Sequence, residues 1–101
     1  MLSSFRCYVI AVEFFHLAQK LKLRRPLRDQ MDRASSSIAL QLAEGYGKTS
    51  FQEQQKFYVG ALASTRECQA ILELAQTKQE DILMGANRLG ASIYKLTKWR
   101  P

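Results

Sequence analysis

The sequence is poor in the residues that interrupt helices and in those that build metal centres. Only two prolines and five glycines occur in 101 residues, which favours long helices over many short strands. Two cysteines and one histidine are too few for a zinc site, which takes about four such ligands. We therefore expect no metal and no cofactor, and two buried thiols in a reducing cytoplasm.

The sequence also lacks an uncharged apolar run long enough to cross a bilayer, which takes about 20 residues. Its most apolar segment, residues 5–18, is interrupted by Glu13 and His16. A signal peptide would keep such a stretch uncharged, so we interpret the segment as a buried helix. We expect a soluble, cytoplasmic protein with no membrane partner, and a length that fits one domain over residues 1–101.

Apolar residues recur at helical spacing in four segments, which predicts an all-α fold. The predicted helices cover residues 4–23, 27–44, 50–76 and 80–99. We expect Gly45 to end helix two in a left-handed C-cap, and Ser50 with Glu53 to form a capping box for helix three. Short connections favour antiparallel neighbours, so the predicted architecture is an up-down-up-down four-helix bundle. Two seams are expected to face its core: Leu27, Met31, Ala34, Ile38 and Leu42, and Ile82, Ala86, Leu89, Ile93 and Leu96.

The first predicted helix is apolar around most of its circumference. Its polar residues Arg6, Glu13 and Lys20 are spaced by seven and form one narrow stripe. Because a surface helix usually has a single apolar face, this excess predicts burial on two sides. The second side would pack against another copy of the chain, so we expect a homo-oligomer.

Positive charge dominates the sequence, with a formal net charge of +6. This favours a polyanionic partner, RNA or DNA. The candidate nucleic-acid-binding residues form two groups, expected at opposite ends of the bundle: Lys20, Lys22, Arg24, Arg25 and Arg28, and Lys95 and Lys98, which Arg100 follows in the sequence. The sequence leaves open a structural alternative, in which both groups are solvated and offset the dipoles of the helices that they end.

A polar stripe follows the core seam of helix two and is expected to reach helix three. Its helix-two members, Arg33, Ser37, Gln41 and Glu44, recur every three or four residues. The expected partners on helix three are Ser64 and Glu67. Polar groups near a core need partners, which favours a hydrogen-bond network between helices or subunits. A ligand or partner site is the alternative.

The sequence offers no convincing catalytic arrangement. His16 with Cys7 or Cys68 would make a nucleophilic dyad, but no orienting third group or oxyanion loop accompanies them. Residues 45–49, Gly-Tyr-Gly-Lys-Thr, lack the spacing and the preceding strand of a phosphate-binding loop. We therefore assign no catalytic residue and expect a protein that is not an enzyme.

Residues 33–48 contain Arg-x-x-x-Ser-Ile followed by Ala-Glu-Gly-Tyr-Gly-Lys. This segment resembles the signature of the bacterial four helix bundle family, whose members include products of intervening sequences in large-subunit ribosomal RNA genes. The accessory variability protein of diversity-generating retroelements is a relative. Where the family often has Pro and then Ser-Asn, this chain has Ala39, Leu40 and Gln41. Further agreement comes from Phe57, Tyr58, Ala61, Ser64 and Glu67.

The resemblance implies an antiparallel four-helix bundle that assembles as a ring-like homopentamer. The retroelement relative binds a reverse transcriptase and nucleic acid through basic surfaces, and the resemblance extends this expectation to the present chain. We therefore predict a non-enzymatic, oligomeric accessory or scaffolding protein that binds nucleic acid. The alternative is a protein-binding adaptor for a neighbouring enzyme, such as a reverse transcriptase, without direct nucleic-acid binding.

Overall fold

The computed structural model describes residues 2–98, and α-helices account for most of them. A short 3-10 turn at Leu2–Ser4 precedes α1 (Arg6–Lys20), α2 (Leu27–Tyr46), α3 (Phe51–Leu74) and α4 (Glu80–Lys98). No strand occurs within residues 2–98. The predicted all-α fold with four helices is thus confirmed, whereas Trp99 and Arg100 lie outside the described residues.

Each helix packs against two others, with α1 and α3 both lying between α2 and α4. The Phe5 ring, just before α1, stacks on Tyr46 at the end of α2 with centroids 4.7 Å apart. Near the other end of α1, Gln19 donates a 3.1 Å hydrogen bond to Asp32 in the second turn of α2. The start of α1 therefore lies beside the end of α2, and the end of α1 beside the start of α2.

The same relation holds for α3 and α4, which gives the elongated molecule, 41 Å long, two distinct ends. Gln55 near the start of α3 donates a 2.8 Å hydrogen bond to the Leu96 carbonyl near the end of α4. We call residues 18–32 and 73–82 the two-turn end, because it holds the α1–α2 and α3–α4 connections. The opposite, one-turn end comprises residues 2–8, 43–57 and 94–98.

Within residues 2–98, the two predicted seams supply eight of the nineteen buried hydrophobic residues of the core. Of the ten seam residues, only Leu27 and Leu96 are half-buried, and the others are buried. The rest of the core comes mostly from α1 and α3 and includes Phe14, Ile71 and Leu72. A heptad-like spacing of three and four therefore located the buried faces of α2 and α4 correctly.

Gly45 does not end α2 as predicted. The helix continues to Tyr46, and Gly47 follows with φ −82° in the right-handed region. The physical reason for a glycine at position 45 is close approach to α3. A Cβ there would lie 2.8 Å from the Tyr58 ring and 3.0 Å from the Phe57 Cβ.

The structure confirms one of the two hydrogen bonds of the predicted capping box of α3. The Glu53 backbone N–H donates to the Ser50 Oγ at 3.1 Å, which satisfies one of the unpaired donors of the first turn. The Glu53 carboxylate accepts from the Ser50 hydroxyl at 3.3 Å. The first helix is shorter than its predicted range of residues 4–23. It ends at Lys20, and Leu21 has an extended backbone.

None of the helices within residues 2–98 combines the length and the apolar character that a membrane crossing requires.

Candidate nucleic-acid interface

Arg28, a member of the first predicted basic group, is built into the fold. Its Nη1 donates to the Leu21 carbonyl at 2.6 Å and its Nη2 to the Ala18 carbonyl at 3.0 Å. The same guanidinium forms an ion pair with Asp32 at 2.6 Å, and only 21% of its side chain is exposed. Arg28 therefore caps the last carbonyls of α1 and ties them to α2, which leaves little of it for a phosphate.

The other members of this group are exposed. Arg25 lies 3.9 Å from Asp29, with both side chains mostly in water, so this contact contributes little. Lys20, Lys22 and Arg24 have no carboxylate within ion-pair distance among residues 2–98. Three cations without an ion-pair partner among residues 2–98 therefore lie at the end of α1 and in the connection that follows it.

Carboxylates share the two-turn end with these cations. Both α2 and α4 begin there, and acidic residues favour the first turn of a helix because they interact with the positive end of its dipole. Six cations, Lys20, Lys22, Arg24, Arg25, Arg28 and Lys78, accompany five carboxylates, Asp29, Asp32, Glu73, Glu80 and Asp81. The two-turn end is nearly neutral despite its run of basic residues.

The described members of the second predicted group, Lys95 and Lys98, lie at the one-turn end with cations that sequence reasoning missed. Lys95 and Lys98 are exposed in the last turns of α4, and the Lys98 Nζ lies 5.2 Å from the Tyr94 ring centroid. Arg6, Lys48 and Lys56 lie at the same end, whose carboxylates within residues 2–98 are Glu44 and Glu53. The order of the helices could have revealed this grouping. The start of α3 lies beside the end of α4, so cations in these two distant segments share one end of the bundle.

The polar stripe brings together three residues in one hydrogen-bonded cluster. The Ser37 and Ser64 hydroxyls lie 3.1 Å apart between α2 and α3. Gln41 Nε2 donates to Ser37 Oγ at 2.9 Å and to Ser64 Oγ at 3.3 Å. Gly60 provides the space for Gln41, since a Cβ at that position would collide with the Gln41 Oε1.

The charged members of the stripe lie further out. Arg33 Nη2 is 3.9 Å from Glu67 Oε2, and both side chains are about half exposed or more. Glu44 points toward Lys48 instead, with 3.7 Å between carboxylate and ammonium. The structure thus joins Ser37, Gln41 and Ser64 closely, places Arg33 beside Glu67, and leaves Glu44 apart.

Apolar surface remains on both sides of α1. On the α2 side, Tyr8, Val12 and Phe15 line a shallow groove whose rim carries Leu40, which is 68% exposed. We call this the Leu40 face. On the α4 side, the Met84 face is a groove whose apolar lining includes Phe14, Leu17 and Met84, which is 66% exposed. Charged residues also line this second groove: Glu13, Asp81 and Arg88.

Residues 6–80 of the chain match the protein family described as 23S rRNA-intervening sequence protein. The chain belongs to this family. The match confirms the resemblance carried by residues 33–48. No curated protein and no solved structure matches the chain.

The description of this intervening-sequence protein family names a ribosomal RNA and no reaction.

Both thiols in the chain are buried, and burial raises their pKa values, that of Cys68 to about 12. A second, smaller cause at Cys68 is the neighbouring Glu67 charge. Since the thiolate is the nucleophile, neither cysteine is poised to act as one near neutral pH.

Proposed function

We propose that this chain is a non-enzymatic, homo-oligomeric accessory or scaffolding protein that binds nucleic acid through exposed cations. The observation that carries the proposal is the net charge of +6, borne largely by exposed lysine and arginine side chains at the helix ends. Membership of a family described by a 23S rRNA supports RNA as the nucleic acid. Such binding is electrostatic, tolerant of sequence and sensitive to salt.

A titration against labelled RNA and DNA tests this proposal. We expect binding at about 50 mM salt and a steep loss of affinity by about 200 mM, because each neutralised phosphate releases counterions. The slope of log affinity against log salt gives the number of phosphates contacted. Absence of binding to either nucleic acid at the lower salt concentration would reject the proposal.

The proposed assembly is a cytoplasmic ring of up-down-up-down bundles, with five copies by resemblance to the family. A head-to-tail ring needs two different patches on each subunit, and the Leu40 and Met84 faces supply two such patches on either side of α1. In a ring, equivalent cations repeat around one axis. This repetition strengthens weak single contacts through avidity.

A protein-binding adaptor is the second candidate function, and the Leu40 face favours it. Leu40 is 68% exposed above a groove lined by aromatic and aliphatic side chains, and apolar patches of this kind mark protein interaction sites. Affinity capture with and without nuclease separates the two candidates. A partner enzyme retained after nuclease, together with no nucleic-acid binding by the purified chain, would favour the adaptor.

A further inference from the structure

We propose that single-stranded nucleic acid is bound at the one-turn end of the bundle, by Lys56, Lys95 and Lys98 together with the exposed Tyr94 ring. This inference rests on the proposed function and selects between the two basic groups. The run of residues 20–28 is the denser basic segment in the sequence. The structure points to the other end.

The balance of charge separates the two ends. Within residues 2–98, the one-turn end has five cations against two carboxylates, whereas the two-turn end has six cations against five carboxylates. Arg28 at the two-turn end is also engaged with two carbonyls and Asp32. A phosphate backbone approaching the two-turn end therefore meets almost as many negative as positive side chains.

The helix dipoles do not reverse this difference. Each end carries two helix N-termini and two helix C-termini, because successive helices contact each other start to end. The positive and negative ends of the dipoles therefore offset each other at both places. The side-chain charges decide which end attracts a polyanion.

Among residues 2–98, the exposed Phe or Tyr side chains are Tyr46 and Tyr94, and both lie at the one-turn end. Tyr94 is 47% exposed with the Lys98 ammonium 5.2 Å from its centroid, and Tyr46 is 39% exposed. Residues 18–32 and 73–82 contain no Phe, Tyr or Trp. Aromatic rings among cations are characteristic of single-strand binding, because an unpaired base stacks on the ring while the cations follow the phosphates.

Two variants with equal loss of charge test the location. Lys95→Gln/Lys98→Gln removes two cations from the one-turn end, and Lys22→Gln/Arg24→Gln removes two from the two-turn end. The probe is a single-stranded uridine oligonucleotide of about 16 nucleotides. We expect roughly tenfold weaker binding for the first variant at low salt, a salt slope lower by about 1.4, and little change for the second.

Equal losses in the two variants, or a larger loss for Lys22→Gln/Arg24→Gln, would overturn the location while the proposed function stands. Failure of the unmodified chain to bind would reject the proposed function as well. Circular dichroism checks that each variant is folded. If the α4 double variant unfolds, Lys56→Gln on the exposed surface of α3 takes its place against Lys22→Gln.

The role of the Tyr94 ring has its own comparison. Tyr94→Ala removes the stacking surface, whereas Tyr94→Phe retains it, so we expect at least about fivefold weaker binding for the first and near-normal binding for the second. A duplex of the same length should bind more weakly than the single strand, because its bases are already stacked. Unchanged binding by Tyr94→Ala, or equal binding of duplex and single strand, would overturn stacking at this end.

Discussion

At the scale of single residues, two helical glycines have opposite surroundings and predict opposite effects of the same substitution. We expect Gly45→Ala to lower the free energy of unfolding by about 1–3 kcal/mol, because the new methyl group overpacks a well-filled contact. Its Cβ would lie 2.8 Å from the buried Tyr58 ring. The measurement is urea denaturation followed by circular dichroism.

Gly85→Ala is the matched control. A Cβ there would lie 3.6 Å from the Phe14 ring, which is ordinary contact at the open Met84 face. The free energy of unfolding should rise by up to about 1 kcal/mol, because alanine has the higher helix propensity. Equal effects of the two substitutions would mean that the α2–α3 contact is looser than the structure has it.

Cys68 predicts a loss of stability in alkali. Burial raises the pKa of this thiol from 9.0 to about 12, so above pH 9 the unfolded chain releases a proton that the folded chain retains. The free energy of unfolding should therefore fall as pH rises through this window, by up to about 1.4 kcal/mol per unit, and be unaffected by Cys68 below it. Urea denaturation across the window measures the decline.

The Cys68→Ala variant isolates this contribution from that of Cys7 and Tyr58, whose pKa values are also raised by burial. Its decline in alkali should be shallower than that of the unmodified chain. Parallel declines in the two proteins would show that ionisation of Cys68 does not contribute.

At the scale of elements, the α1–α2 connection depends on one side chain. Arg28→Ala removes hydrogen bonds to the Ala18 and Leu21 carbonyls and the ion pair with Asp32. We expect a loss of about 1.5–3 kcal/mol in the free energy of unfolding, the range for hydrogen bonds to charged groups. Thermal and urea unfolding provide the measurement.

Arg24→Ala is the control for this prediction, because Arg24 is exposed in the same connection without a carboxylate partner among residues 2–98. Its effect should stay within about 0.5 kcal/mol. Arg28→Lys should lose most of the same contribution to the free energy of unfolding, because an ammonium cannot donate to several partners with the planar geometry of a guanidinium. If Arg24→Ala proved as destabilising as Arg28→Ala, the hydrogen bonds of Arg28 to the α1 carbonyls could not be the cause of the loss.

The helices themselves were predictable from sequence, but contacts between them were not. The spacing of Met31, Ile38 and Leu42 fixes a buried face of α2 without reference to any other helix. Gly45 was misinterpreted because its role depends on Tyr58, thirteen residues away on another helix. Arg28 was grouped with the candidate nucleic-acid-binding cations for the same reason, since its partners become visible only when the path of the connection is known.

The electrostatic character of the candidate interface also depends on tertiary structure. A sequence shows the cations of residues 20–28 as a run, but the acids of α4 that accompany them come from more than fifty residues away. Conversely, Lys56 and Lys95 are distant in sequence and share one end of the bundle. The arrangement of the helix ends therefore determines at which end of the bundle the excess of positive side chains lies.

At the scale of the whole molecule, the two faces beside α1 predict how copies join. We expect Leu40→Asp or Met84→Asp to reduce the assembly to single copies, because each contact in a head-to-tail ring uses both patches and a buried carboxylate is unfavourable there. Leu74→Asp is the control, since Leu74 is 70% exposed on α3, and it should leave the assembly intact. Light scattering after nuclease treatment measures the mass.

An equimolar mixture of the two disrupted variants distinguishes a ring from a symmetric pair. The Leu40→Asp copy retains an intact Met84 face, and the Met84→Asp copy retains an intact Leu40 face, so one productive contact can form between them but no chain of contacts. The mixture should therefore give a species of twice the single-copy mass and nothing larger. In a symmetric pair built on the Leu40 face alone, Met84→Asp would leave the dimer unchanged and mixing would generate no new species.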